Sequence, residues 1–141
     1  MGSSTGYKQT QTFNSGILSD NQDNYFNGWT RVFLKYCDGS GHQGYNPKSV
    51  LYKGADLYFR GQNIKIAQFN SINQSNKIFT NEITHLVLTG ESAGGLATFH
   101  WTNYLADQIS KNTKYWSIPD SGIFIDEVNS ITKKNSYRIW F

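Results

Sequence analysis

The chain has 141 residues, 38% of them hydrophobic and 16% charged, with a formal net charge of +3, so it is globular and of single-domain size rather than disordered. The basic residues are scattered, with no run longer than Lys133-Lys134, which argues against a nucleic-acid or membrane-surface partner. The single cysteine, Cys37, permits neither an internal disulfide nor a multi-cysteine metal site, and no run approaches the roughly 18 apolar residues of a membrane helix.

The opening "MGSSTGYKQT" lacks the apolar core of a signal peptide. That fits either an intracellular chain or one whose natural start lies further upstream. Residues 1–30 are polar and rich in Asn, Ser and Gly, and are expected to form a loop anchored by Phe13, Ile17 and Leu18. "RVFLKYC", Arg31 to Cys37, carries the β-branched and aromatic residues of a strand. It runs into a turn cluster, "DGSGHQGYNP", with Asp38-Gly39 and Pro47. Val50 to Gly61 reads as short extended pieces broken by Gly54. Ile64, Ala67 or Ile66, and Phe69 fall near helical spacing and predict a helix from about Asn63 to Ile72.

Thr84 to Thr89, "THLVLT", is a short apolar run bounded by turn signals, the pattern of a buried strand. Ala93, Ala97, Trp101, Leu105 and Ile109 then recur every four residues, one face of a helix ending near Lys111. A further strand is expected to about Ile118, followed by a loop from Pro119. The last residues, "YRIWF", are apolar to the end, which hints at truncation. Strand, loop, helix, strand, serine turn, helix and strand in this order predict an α/β fold with a mostly parallel sheet and flanking helices. Neither repeats nor a linker-like segment divide it, so residues 1–141 read as one partial domain.

The chemistry concentrates at Gly90-Glu91-Ser92-Ala93-Gly94, a G-x-S-x-G pattern. In a nucleophile elbow the chain passes from strand to helix within a few residues, holding a strained serine with its hydroxyl exposed. Gly90 and Gly94 are the small residues expected to avoid strand–helix clashes, and the amide of Ala93 would face an oxyanion formed at Ser92. The pattern alone is weak; its position between an apolar strand and an amphipathic helix strengthens it. The bland reading is a glycine-rich turn with Ser92 as helix cap.

A serine hydroxyl needs a base, and none of the three histidines suits. His85 lies on the strand before the turn, where packing is the simpler role. His42 precedes the serine, against the usual chain order of such hydrolases. His100 follows it on the same helix, roughly 10 Å along the axis from the turn. Of the acids after Ser92, Asp107 reads as solvated, while Asp120 and Asp126 flank "SGIFI" beyond a strand and are candidates to line a pocket, as is Asp38 in the turn cluster.

"YCDGS" at 36–40, "LYFRG" at 57–61, "TGESAGGLA" at 89–97 and "DSGIFID" at 120–126 occur in order, with "GSS" and "FNSGILS" before them. Together these resemble the pectin acetylesterase family, which includes the Notum-type carboxylesterases. The resemblance covers nearly the whole chain and is carried by the set rather than by any one motif. "GESAGG" is also similar to type-B carboxylesterases, which do not account for the other segments.

The resemblance implies an α/β-hydrolase-like fold and a Ser–His–Asp triad that cleaves esters without metal or cofactor. It implies acetylated polysaccharide as substrate for plant-type members, and a palmitoleate on Wnt proteins for Notum-type members. Ser92 matches the nucleophile and Ala93 an oxyanion donor. The family's "GGGW"-like motif would lie upstream of this chain, and its catalytic Asp and His downstream. Two family cysteines are replaced here by Glu91 and Ser117. Most members are secreted. The expectation is therefore the central part of a serine esterase, with little turnover by itself. The alternatives are an inactive or carbohydrate-binding remnant, with Trp29, Tyr45 and Trp116 as stacking candidates, and a Notum-type lipid esterase whose pocket Phe124 would suit. Asn73-Gln74-Ser75 is a glycosylation pattern that decides little.

Overall fold

A computed structural model of the chain describes residues 3–125 and 127–134. The chain divides into two compact units, Met1–Cys37 and Asp38–Phe141. Among its described residues the first has one short 3-10 helix, Ser4–Gly6, and hydrogen-bonded turns between Gly16 and Trp29. Its organiser is Asn24, whose side-chain amide donates to the carbonyls of Ile17 (3.0 Å) and Ser19 (2.7 Å). Arg31 binds the Ser19 carbonyl and the Asp20 carboxylate. Phe13 packs edge-on against Phe33 at 5.0 Å, while Ile17 and Leu18 are half-buried, so the predicted anchors pack as expected. The strand predicted over Arg31–Cys37 is absent. Its residue types favour a pleated surface, but β-propensity needs a neighbouring strand, and the described residues offer it none.

The second unit begins with the turn cluster and a hairpin, β1 (Val50–Tyr52) and β2 (Ala55–Leu57), paired antiparallel. Lys53 and Gly54 both have positive φ, 49° and 78°, the backbone a two-residue turn needs to match strand twist. Helix α1 spans Gly61–Asn76, four residues beyond the predicted end, because Asn73, Gln74, Ser75 and Asn76 form a polar last turn in solvent. It stops at Lys77, which is left-handed at φ 53°, while Asn73 Oδ1 accepts from the Phe79 amide at 2.8 Å. Its buried stripe is Gly61, Lys65 and Phe69; of the two expected alternatives, Ile66 is half-buried and Ala67 exposed.

Strand β3 (His85–Glu91), helix α2 (Ala93–Gln108) and β4 (Lys114–Asp120) form a parallel strand–helix–strand unit. The ladder runs in unbroken register from His85 opposite Lys114 to Glu91 opposite Asp120. It takes in Pro119, which sequence assigned to a loop; Pro119 sits one residue from the strand end. On one sheet face, Tyr115 Oη donates to the Thr102 carbonyl at 3.4 Å, and Ser117 and Thr102 share a hydroxyl hydrogen bond. On the other, Trp116 and Ile118 are exposed. For this reason β3 is half-buried rather than buried: among the described residues it has one strand neighbour, and one of its faces is covered.

The core is Phe69, Ala97, Trp101 and Leu105. Three of its four residues are the predicted every-fourth-residue stripe of α2, and Phe69 meets that stripe at Trp101, with ring centres 5.5 Å apart. Among the described residues the result is a mixed α/β architecture with one parallel pair and a separate antiparallel hairpin. The terminal apolar segment lies outside the described residues, as does Asp126.

Candidate active site

Strand β3 ends at Glu91 and α2 begins at Ala93, so Ser92 alone makes the turn. Its backbone is held at φ 54°, ψ −113°, a conformation costly for a residue with a side chain. Two hydrogen bonds hold it there: the Ser92 amide donates to the Asp120 carbonyl at 3.0 Å, and its carbonyl accepts from the Leu96 amide at 3.0 Å. A serine serving as helix cap has extended backbone and spends its oxygen on a first-turn amide. Ser92 does neither: it has no side-chain capping bond, and it is exposed. The hydroxyl is thus presented rather than used. The amides of Ala93, Gly94 and Gly95 open the helix and have no intrahelical acceptor, so they form a local positive pole beside Ser92.

The glycines divide unequally. A methyl group on Gly90 would lie 2.4 Å from the Gly94 carbonyl oxygen, so glycine there is obligatory. At Gly94 a methyl group would meet nothing within 4 Å; the expected clash relief belongs instead to Gly95, where it would lie 2.4 Å from the Asp120 carbonyl oxygen. Gly122 completes the contact, with a methyl group there only 2.5 Å from the Gly95 carbonyl carbon. Sequence reasoning missed Gly95 and Gly122; the doubled glycine of "SAGG" and the "DSG" after β4 were the available signals. It also missed Thr98, fully buried, whose hydroxyl donates to the Gly94 carbonyl at 2.9 Å and steadies the first turn of α2.

Asp120 serves the turn through its backbone carbonyl, while its exposed carboxylate accepts from Ser121 Oγ at 2.9 Å. Asp38 is buried and accepts from the Ser40 hydroxyl and, at 3.3 Å, the Ser40 amide. It lies against Gly61 at the start of α1, a favourable place for a carboxylate, so its contacts organise the 38–44 loop. Glu91 and Ser117 are not opposite each other, since Ser117 pairs with Leu88. Cysteines there would stand about 10 Å apart along the ladder, too far to bond to one another.

No histidine among the described residues is placed as a base for Ser92. His85 is at the far end of β3, about 23 Å of strand away, and stacks on Trp116 at 5.8 Å. His100 is on α2 with its ring against Trp101, and burial lowers its pKa. His42 is buried, with its carbonyl accepting from Trp101 Nε1 at 3.2 Å. Burial, aided by Lys65 and opposed by Asp38, pushes the His42 pKa down to about 4, so it is a weak base at neutral pH.

That depression has a consequence for stability. The folded chain holds His42 neutral at pH values where the unfolded chain, with an ordinary pKa of 6.5, binds a proton. Stability is therefore full above about pH 6.5 and falls as pH drops towards 4, by on the order of 2 kcal/mol. Urea unfolding at both ends of that window is expected to show the loss in the native chain and a smaller one in His42→Asn, which tolerates the φ of 65°. Equal losses in both would count against His42 as the source.

Among the stacking candidates, Tyr45 and Trp116 are exposed, Trp29 is half-buried against Phe26 at 5.1 Å, and Phe124 is half-buried. No helix among the described residues is long and apolar enough to cross a membrane.

A strand, a one-residue serine turn at positive φ and a helix whose first amides lack intrahelical acceptors follow directly on one another. Comparison with known proteins gives the family: the pectinacetylesterase family model matches residues 1–141, and the chain belongs to that family. It is 33% identical to pectin acetylesterase 5 of Arabidopsis thaliana over 98% of this chain and 32% of that protein. It is 30% identical to pectin acetylesterase 4 of the same plant over 89% of this chain and 30% of that protein. The chain thus spans about a third of the length of these curated relatives. No solved structure matches it.

Proposed function

We propose that this chain is the nucleophile-bearing part of a carboxylic ester hydrolase that removes acetyl groups from pectin-type polysaccharide outside the cell. Residues 1–141 would then belong to one larger α/β-hydrolase-like domain. The observation that carries the reading is Ser92: strained, exposed, and with its hydroxyl unspent on capping. In the proposed reaction Ser92 Oγ attacks the acetyl carbonyl while a base takes its proton. The amide of Ala93 stabilises the oxyanion. The sugar hydroxyl leaves with a proton, and water then hydrolyses the acyl-enzyme to acetate and free serine. The base and its supporting acid are assigned to the part of the relatives' length that this chain does not match.

The test compares this chain with its complete reading frame, using p-nitrophenyl acetate and acetylated pectin. The longer protein is expected to release acetate, and Ser92→Ala to reduce the rate by at least about 10³-fold. This chain alone is expected to turn over little. A longer protein whose activity survives Ser92→Ala would refute the assignment. Pectin binding without acetate release would favour the carbohydrate-binding reading.

A further inference from the structure

The hairpin β1–β2 is one of the parts of the second unit that its core leaves exposed. Both strands are exposed along their whole length, with Leu51 73%, Tyr52 57% and Tyr58 52% exposed, and Tyr45 just before them at 69%. A strand made for a core buries every second residue; this hairpin buries none. Cations are interleaved with its rings. The Lys53 ammonium stands 5.3 Å from the Tyr52 ring centre, and the Arg60 guanidinium carbon 4.9 Å from that of Tyr58. Arg60 also donates to the Pro47 carbonyl at 3.1 Å, which ties the base of the hairpin together. From Tyr45 to Arg60, Lys48, Lys53 and Arg60 stand against Asp56 alone, so this segment holds +2 of the chain's +3.

The hairpin is closed at its base, where the Asn46 amide donates to the Phe59 carbonyl at 2.9 Å. It leads through Arg60 into α1, whose Gln62 amide donates to the Gly44 carbonyl at 3.0 Å. The same loop brings Gly41 against Leu96, one turn of α2 beyond Ser92. In parallel sheets substrates gather beyond the carboxyl ends of the strands, the end of β3 that leads into Ser92.

We infer that the hairpin, with Tyr45 and Arg60, is a docking surface for an anionic, uronate-rich polysaccharide. The tyrosine rings stack on sugar faces, and Lys48, Lys53 and Arg60 pair with carboxylates. A neutral polysaccharide gains only the stacking. The substrate class rests on the esterase reading; the aromatic and cationic pattern of the hairpin does not.

The test is calorimetric titration of the chain with polygalacturonate oligosaccharide at low and high salt. Binding is expected, and it is expected to weaken with salt. Replacing Lys48, Lys53 and Arg60 together with glutamine should weaken it roughly 30-fold, about threefold per charge. Tyr52→Ala should weaken it without changing the salt dependence, and Lys53→Arg should bind as the native chain does. Equal affinity in the triple variant overturns the docking surface. So does equal affinity for a neutral galactan, or for single-stranded DNA of similar length. Hairpin substitutions that lower the urea midpoint yet leave binding unchanged also overturn it, since they would mean that other chain covers the hairpin. Binding needs no turnover, so the two ideas fail separately. Hairpin-dependent binding without acetate release in the complete reading frame sinks the esterase reading alone. Acetate release from pectin that the triple variant leaves unchanged sinks the docking surface alone.

Discussion

Gly95→Ala is expected to lose about 2–3 kcal/mol of stability and to free the Ser92 amide, although alanine is the better helix former. The added methyl group would lie 2.4 Å from the Asp120 carbonyl oxygen and 2.7 Å from Gly122 Cα. Both are backbone atoms, so no side chain can swing aside. Either α2 moves away from the end of β4 or residues 120–122 shift. Both moves strain the hydrogen bond from the Ser92 amide to Asp120, and with it the unusual φ of 54°. The helix-propensity gain of about 1 kcal/mol is too small to compensate. Urea unfolding reads the stability, and hydrogen exchange at the Ser92 amide reads the geometry. Gly94→Ala is the matched control: a methyl group there meets open space, and the change should stay within about 1 kcal/mol of neutral. If the two variants behave alike, the close contact is not what holds the turn.

Trp101→Ala is expected to cost about 3–5 kcal/mol, a large part of the stability of a small domain. Trp101 is the point where α1, α2 and the 38–44 loop meet. Its ring packs edge-on against Phe69 at 5.5 Å and Tyr104 at 5.3 Å, and its indole N–H donates to the His42 carbonyl at 3.2 Å. Truncation removes the ring from the core and leaves a buried carbonyl without its donor. Trp101→Phe separates the two contributions. It keeps most of the apolar area and loses the hydrogen bond, so it should cost about 1–3 kcal/mol. Far-ultraviolet circular dichroism during urea titration measures both. A Trp101→Ala variant as stable as the native chain would mean that this junction does not hold the unit together.

Where local pattern matched local structure, the reading from sequence held. The four-residue spacing from Ala93 to Leu105 is a helix face, with Ala97, Trp101 and Leu105 buried, but the helix ends at Gln108 rather than near Lys111 and Ile109 is its extended cap. "THLVLT" became β3, extended to Glu91, because the ladder with β4 continues as far as Asp120 can pair. The helix over Asn63–Ile72 was found but cut short, since a polar last turn shows no apolar period. Arg31–Cys37 failed as a strand for the opposite reason: its residues suit a sheet, but a strand also needs a partner, which local pattern cannot supply. In the candidate site, Ser92 and Gly90 were legible from G-x-S-x-G. The change from Gly94 to Gly95 was not, because it depends on which backbone lies opposite each residue.

By itself, then, the amino-acid sequence determined the order of elements from Val50 onward, the buried face of α2 and the position of the serine turn. These follow from periodicity and from the few residue types that tolerate a tight turn. Only the tertiary structure decided that Ser92 is strained and its hydroxyl unspent, that the Asp120 carbonyl rather than its carboxylate supports the turn, and that Asp38 and His42 are committed to a buried loop. Those are contacts between segments distant in sequence, set by the register of β3 against β4 and by the packing of the 38–44 loop on α2. No local pattern encodes them.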